Sequence, residues 1–202
     1  MKTDVYRFER YVGNIDTVTG LAEKIAAYNG LDKKQTLKLS LLCEELIEML
    51  PNLLIYGKGE FWAENNGRDY EIHAVVEADD LLSSADRSEI LSVSKSGRNA
   101  AAVGIMNKIK IAAEIMISNY ANAAGTSGAN MSPDDLDYYS MGIEADPLGY
   151  TEQWSLSNYR GKVKDNKEAW DELEKSIIAN MADDVTVGII SGKVEIVVKK
   201  TF

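Results

Sequence analysis

Hydrophobic and polar residues alternate near the start of the chain. Further along, hydrophobic residues recur at intervals of three and four. The alternation of residues 4–11 predicts a strand with one covered face. Apolar positions from Ile15 to Ala26 and again from Leu39 to Leu50 have helical spacing. The first fifty residues therefore predict a strand followed by two amphipathic helices.

Local signals predict where these two helices begin and end. Asn29-Gly30 supplies a residue that tolerates the left-handed conformation at a helix end. Asp32 with Gln35 three residues later resembles a capping box and would open the second helix. Pro51 is expected to end or kink that helix.

Two further pairs of alternating segments predict β-hairpins. The first pair surrounds Asn66-Gly67, and the second surrounds Ser191-Gly192. In the strand after Asn66-Gly67, successive residues face opposite sides, and His73 falls on the polar side. The single histidine of the chain is therefore expected to be solvated, with no catalytic role.

Three longer segments complete the prediction. Residues 98–120 carry a broad apolar stripe and predict a largely buried helix, and residues 166–182 predict a charged helix. Residues 121–152 hold four glycines and two prolines and are expected to form a flexible insertion. The order of elements predicts one α+β domain over residues 1–202, with a mixed, mainly antiparallel sheet covered on one face by helices.

The composition limits which partners and which cellular compartment are expected for the protein. With 32 acidic and 22 basic residues the formal charge is −10, and no basic stripe could neutralise a phosphate backbone, so nucleic acid is not expected as a partner. No long apolar run predicts a signal peptide or membrane span. The single cysteine, Cys43, falls on the apolar side of a helix and is expected to be a buried hydrophobe in a reducing cytoplasm.

The run LKLSLLCEELIEML, the hairpin that follows it, VVEADD and SGRNAAAVGIMNKI together resemble the histidine-kinase-like ATPase fold. They are most similar to the short bacterial anti-sigma factor serine kinases. The resemblance covers residues 1 to about 118 and the last hairpin. It implies a two-layer sandwich that binds ATP with Mg²⁺, in which a helical glutamate orients a water and an asparagine four residues later holds the metal.

Two glutamates of this chain can be aligned with the family glutamate. Glu45 follows the apolar run at the family's distance, but its fourth successor is Met49, whose thioether cannot replace an amide oxygen on Mg²⁺. Glu48 with Asn52 restores both residue types, although Pro51 then lies between them. Glutamates on an exposed helix face without any ligand are the plainer interpretation.

The remaining motif positions match the family in part. Asp79 stands where the family places its adenine-reading aspartate, but the two glycines that follow in the family are missing. Gly97 precedes a predicted helix whose amides could bind phosphate, and Gly104 lies inside it. The resemblance thus implies Glu45, Asn52, Asp79, Gly97 and Gly104 as a nucleotide site with gaps at the residues that carry the chemistry.

A helix and hairpin pattern that matches the family, beside incomplete motifs, favours a non-catalytic or weakly nucleotide-binding regulatory module that binds a protein partner, with a homodimer left open. The alternative is an active ATP-binding kinase of the anti-sigma type, with Glu45 or Glu48 as the base and Asn52 on the metal. A third interpretation is an unrelated α+β protein that shares only layered architecture.

Overall fold

Seven strands in the described part of the chain form one sheet. The computed structural model describes residues 1–9, 15–53, 58–77, 105, 108–109, 111–113, 116, 143–145, 152–190 and 193–202. The strands are β1 (Tyr6–Glu9), β2 (Lys58–Asn66), β3 (Asp69–Glu77), β4 (Ile143–Ala145), β5 (Glu152–Ser155), β6 (Asp184–Ile190) and β7 (Lys193–Thr201). Their order across the sheet is β1-β2-β3-β7-β6-β5-β4. The helices with described bounds are α1 (Ile15–Tyr28), α2 (Lys33–Leu53), α3 (Leu156–Val163), α4 (Lys167–Lys175) and α5 (Ile177–Met181).

Every pair of neighbouring strands in this sheet is antiparallel. The two predicted hairpins supply the centre, because β3 of the first pairs with β7 of the second along its full length. The α+β class with an antiparallel sheet and packed helices is therefore confirmed.

The core lies between one face of the sheet and the helices. Alternate strand residues such as Phe61, Ile72 and Ile196 are fully buried, and α1 and α2 pack over β2, β3 and β7. The apolar stripes of both helices are buried as their spacing predicted. Cys43 belongs to this core, where burial and, to a lesser extent, the Glu44 carboxylate raise the pKa of its thiol.

The predicted capping box opens α2. The Asp32 carboxylate accepts a hydrogen bond from the Gln35 amide at 2.8 Å, and the Gln35 side chain accepts one from the Asp32 amide at 3.0 Å. Gly30, with φ of 66°, closes α1 in the left-handed conformation. Both local predictions are confirmed.

Of the two effects predicted for Pro51, ending α2 is wrong, since the helix continues to Leu53, and a kink stays a prediction. A proline removes the hydrogen bond to the carbonyl four residues earlier. Because Pro51 lies in the last turn of α2, the helix loses one hydrogen bond near its end, where the final carbonyls have no helical partner in any case. Burial of Ile47 and Leu50 in the core just before the proline holds the helix in place.

The first hairpin turns one residue later than predicted. Asn66 pairs with Asp69, so the two turn residues are Gly67 and Arg68, and Gly67 has φ of 65°. In the second hairpin Ile190 pairs with Lys193, as expected for a turn at residues 191 and 192.

The segment before the second hairpin contains three helices where the sequence predicted one. The additional helix α3 follows β5 directly, and Ser155 caps it by accepting from the Asn158 amide. The predicted charged helix is divided at Ser176, whose side chain caps α5 by accepting from the Ala179 amide. Serine competes with the helix for backbone hydrogen bonds, which explains the break.

Two predicted segments lie largely outside the described residues. Within the predicted buried helix, the described residues are helical, and Ile105, Ile109 and Met116 are buried. Within the predicted insertion, residues 143–145 form β4, which pairs with β5. Among the described helices, none has the length and apolar composition needed to cross a bilayer.

Candidate functional site

Helix α2 carries both candidate glutamates of the nucleotide site. Glu45 is half-buried, and its pKa is raised above its usual range by burial and then by the neighbouring Glu48 and Glu44 carboxylates. Glu48 is exposed. Asn52 lies in the last turn of the same helix, one turn beyond Glu48, and its amide group lies outside what the structure describes.

The other residues implied by the resemblance, Asp79, Gly97 and Gly104, lie outside the described residues. Their proximity to α2, and with it the arrangement of an ATP and Mg²⁺ site, therefore stays a prediction.

The described residues contain a second polar constellation, on the face of the sheet opposite α1 and α2. Glu64 on β2 and Glu71 on β3 lie directly opposite each other in the strand register, and His73 follows two residues along β3 on the same face. We call Glu64, Glu71 and His73 the glutamate–histidine cluster. One side-chain ligand atom from each of its members lies within 4.8 Å of the other two.

His73 is buried, with 8% of its surface exposed, so the prediction that it is solvated is wrong. The reason is its cross-strand neighbour Trp62, whose ring stacks on the imidazole at a centroid distance of 4.7 Å and an angle of 7°. A large aromatic side chain directly opposite covers a residue that strand alternation alone assigns to solvent.

The two imidazole nitrogens of His73 have different surroundings. Nδ1 lies 3.2 Å from the Glu195 carboxylate on β7, which accepts a hydrogen bond from it. Nε2 is buried and forms no hydrogen bond within the described part of the chain. It lies 3.4 Å from Glu71 Oε2 and 3.6 Å from Glu64 Oε1. The ring is thus held on one side and aimed at two carboxylates on the other.

Both carboxylates are oriented by a second neighbour. Glu64 Oε2 accepts a hydrogen bond from Trp62 Nε1 at 3.3 Å, which leaves Oε1 on the His73 side. Glu71 Oε1 lies 3.7 Å from Lys199 Nζ, which leaves Oε2 on the His73 side. A different neighbour therefore contacts one oxygen of each carboxylate, and the other oxygen of each faces Nε2.

The charge balance of the cluster is negative. Three carboxylates, those of Glu64, Glu71 and Glu195, lie within 3.6 Å of the imidazole nitrogens, while among the described residues Lys199 forms an ion pair with one of them, Glu71. Like charges directly opposite on adjacent strands destabilise a sheet. This arrangement therefore attracts a positively charged group to the space between Nε2 and the two carboxylates.

The sequence contained part of this signal. Once the hairpin register is known, Trp62 faces His73 and Glu64 faces Glu71. The contact with Glu195 joins residues 122 positions apart, so it depends on the pairing of β3 with β7, which strand periodicity does not specify.

No protein-family model, curated protein or solved structure matches the chain.

Proposed function

We propose that the protein is a non-catalytic regulatory module, and that the glutamate–histidine cluster on the polar face of its sheet is its binding site. One observation carries this proposal. His73 Nε2 is a buried polar atom without a hydrogen bond in the described part of the chain, and it faces two carboxylates. A buried unsatisfied polar group costs about 1–3 kcal/mol, and a bound ligand would offset that cost.

The chemistry of the described residues supports binding over catalysis. The single cysteine is in the core with a raised thiol pKa, which disfavours the reactive thiolate. The single histidine is fixed by the Trp62 stack and by Glu195, and its free nitrogen points at acceptor groups. Such an imidazole is placed to complete a site for a cation.

A stability measurement separates a binding site from a structural ion-pair cluster. We expect Glu64→Gln to leave the unfolding free energy of chelator-treated protein at pH 8 unchanged or to raise it by about 0.5 kcal/mol, because it removes like-charge repulsion opposite Glu71. The amide oxygen of the new side chain can still accept from Trp62. Urea denaturation followed by circular dichroism measures the difference.

The matched control is Glu23→Gln, which makes the same charge change at an exposed position of α1 and should stay within about 0.5 kcal/mol of the parent protein. A loss above about 1 kcal/mol in Glu64→Gln alone would mean that the cluster stabilises the fold. The binding-site proposal would then fail.

The alternative, an ATP-binding protein of the anti-sigma kinase type, is favoured by two observations on α2. The helix continues through Pro51, so Glu48 and Asn52 are one turn apart on the same helix, and Glu45 has a raised carboxyl pKa of the kind that general bases have. Under this alternative, the protein partner would be a substrate of phosphoryl transfer.

A thermal shift with ATP and ADP, each with and without Mg²⁺, distinguishes the two functions. Ligand at a hundred times its dissociation constant adds about 2.7 kcal/mol, which for a chain of this size raises Tm by roughly 5–10 °C. We expect no shift at millimolar nucleotide. A Mg²⁺-dependent shift of that size, lost in Glu48→Gln and in Asn52→Ala but kept in Glu23→Gln, would favour the nucleotide site.

A further inference from the structure

In the glutamate–histidine cluster, both distances from the His73 nitrogen to the carboxylate oxygens are close to those between the ligands of a metal site. Zinc binds histidine nitrogen and carboxylate oxygen at about 2.0–2.2 Å, so neighbouring ligands of a tetrahedral site lie roughly 3.4 Å apart. His73 Nε2 lies 3.4 Å from Glu71 Oε2 and 3.6 Å from Glu64 Oε1. A small rotation of either carboxylate would complete the set, since the three ligand atoms lie within 4.8 Å of one another.

The imidazole provides an observation that is independent of the acidic residues. Its Nε2 atom is buried and without a hydrogen bond in the described ranges, and the residue is more than nine-tenths buried. A histidine that binds metal with one nitrogen almost always donates the other N–H to a carboxylate or carbonyl. The Glu195 contact at Nδ1 has this arrangement: in a neutral imidazole whose proton is on Nδ1, this N–H donates to Glu195 and the lone pair is on Nε2.

Supporting contacts of this type extend to all three ligand residues. Trp62 orients Glu64, and Lys199 approaches the Glu71 oxygen that faces away from His73. Metal ligands in proteins are usually fixed by such outer contacts, which set both the orientation of the ligand and its affinity. A cation would also neutralise the repulsion between the paired glutamates.

We propose that the cluster binds a divalent transition-metal cation of the zinc type through His73 Nε2 and one carboxylate oxygen each from Glu64 and Glu71. This inference rests on the proposed function, because it names the ligand of that binding site. An imidazole nitrogen beside two carboxylates suits Zn²⁺ and its first-row neighbours, whereas Mg²⁺ and Ca²⁺ prefer oxygen ligands alone. Three protein ligands leave a coordination position for water or for a donor group of a partner.

A single histidine makes the site directly observable by NMR. In the 202-residue protein labelled with ¹⁵N-histidine, treated with chelator and held at pH 8, one imidazole gives one pair of nitrogen resonances. Titration with zinc chloride should move the Nε2 resonance while Nδ1 keeps its proton and its contact with Glu195. Isothermal titration calorimetry on the same sample should give one zinc per chain.

Variants connect the binding to the proposed ligands. His73→Gln, Glu64→Gln and Glu71→Gln should each weaken zinc binding by at least about tenfold, because each removes one of three ligands. Glu195→Gln should weaken it by about 10–100-fold while the Nε2 resonance still responds at higher zinc, since Glu195 is a positioning residue. Glu23→Gln should bind like the parent protein.

Two outcomes would overturn the zinc assignment. Zinc affinity unchanged in His73→Gln would place the metal on other acidic residues. No movement of the Nε2 resonance at millimolar zinc would exclude a cation at this nitrogen. Either result leaves the binding site itself to be judged by the Glu64→Gln stability measurement, which is made without metal, so the two failures are distinguishable.

Discussion

Replacing Trp154 by alanine is expected to destabilise the protein by about 3–5 kcal/mol, the range for removing a buried aromatic side chain. Trp154 is fully buried on β5, where it pairs with Val187 on β6 and with Ile143 on β4. Its ring lies 6.1 Å from that of Tyr159 on α3. The substitution would thus leave a cavity where the edge of the sheet meets the helix that follows it.

The chain contains a matched control for this substitution. Trp170 on α4 is 37% exposed and donates a hydrogen bond from Nε1 to Glu174 one turn later, so Trp170→Ala should cost less than about 1 kcal/mol. For a protein of this size, the Trp154 variant should lose roughly 6–20 °C in Tm. Equal losses in the two variants, measured by urea denaturation and calorimetry, would mean that Trp154 is not a core residue.

The elements that the sequence predicted well are those whose signals are local. Gly30 and the Asp32–Gln35 pair act within a few residues of themselves, and both have the predicted geometry. The two hairpins were also predicted correctly, apart from a one-residue shift at Gly67, because turn residues and alternation occur together.

Two of the predictions that failed depend on tertiary packing, whereas the division of the charged helix at Ser176 has a local cause. His73 was assigned to solvent from its strand position, but the Trp62 ring and the β3–β7 pairing bury it. Pro51 is predicted to end or kink α2, but the helix continues to Leu53, and residues of the preceding turn are buried in the core. In both cases tertiary packing outweighs a local preference.

The two proposed sites differ in how far the sequence could have revealed them. The nucleotide site was proposed from a family resemblance, and three of its residues, Asp79, Gly97 and Gly104, lie outside the described part of the chain. The glutamate–histidine cluster has no sequence motif, since its members come from two strands and its supporting Glu195 from a third. The strand register and the cross-strand stacking reveal the cluster, and both are known only once the sheet has been described.

A second large effect is expected at Gly59 on β2, which lies directly opposite Phe8 on β1. A Cβ atom added at Gly59 would overlap the Phe8 ring, reaching 2.6 Å from Cε2 and 2.9 Å from Cε1. Since Phe8 is buried, its ring can move only by disturbing its neighbours. Overpacking of this kind costs about 1–3 kcal/mol, so Gly59→Ala should lower the unfolding free energy by that amount.

The same substitution elsewhere should have the opposite sign. A Cβ at Gly20, in the middle of α1, meets nothing within 4 Å, and alanine is more favourable than glycine inside a helix by about 0.5–1 kcal/mol. Gly20→Ala should therefore stabilise the protein while Gly59→Ala destabilises it. If the Phe8 ring is the obstacle, Gly59→Ala should cost less in a Phe8→Leu background than in the parent protein, and a double-mutant cycle measured by urea denaturation gives the coupling. Equal costs in both backgrounds would contradict the steric explanation and attribute the effect of Gly59 to its backbone.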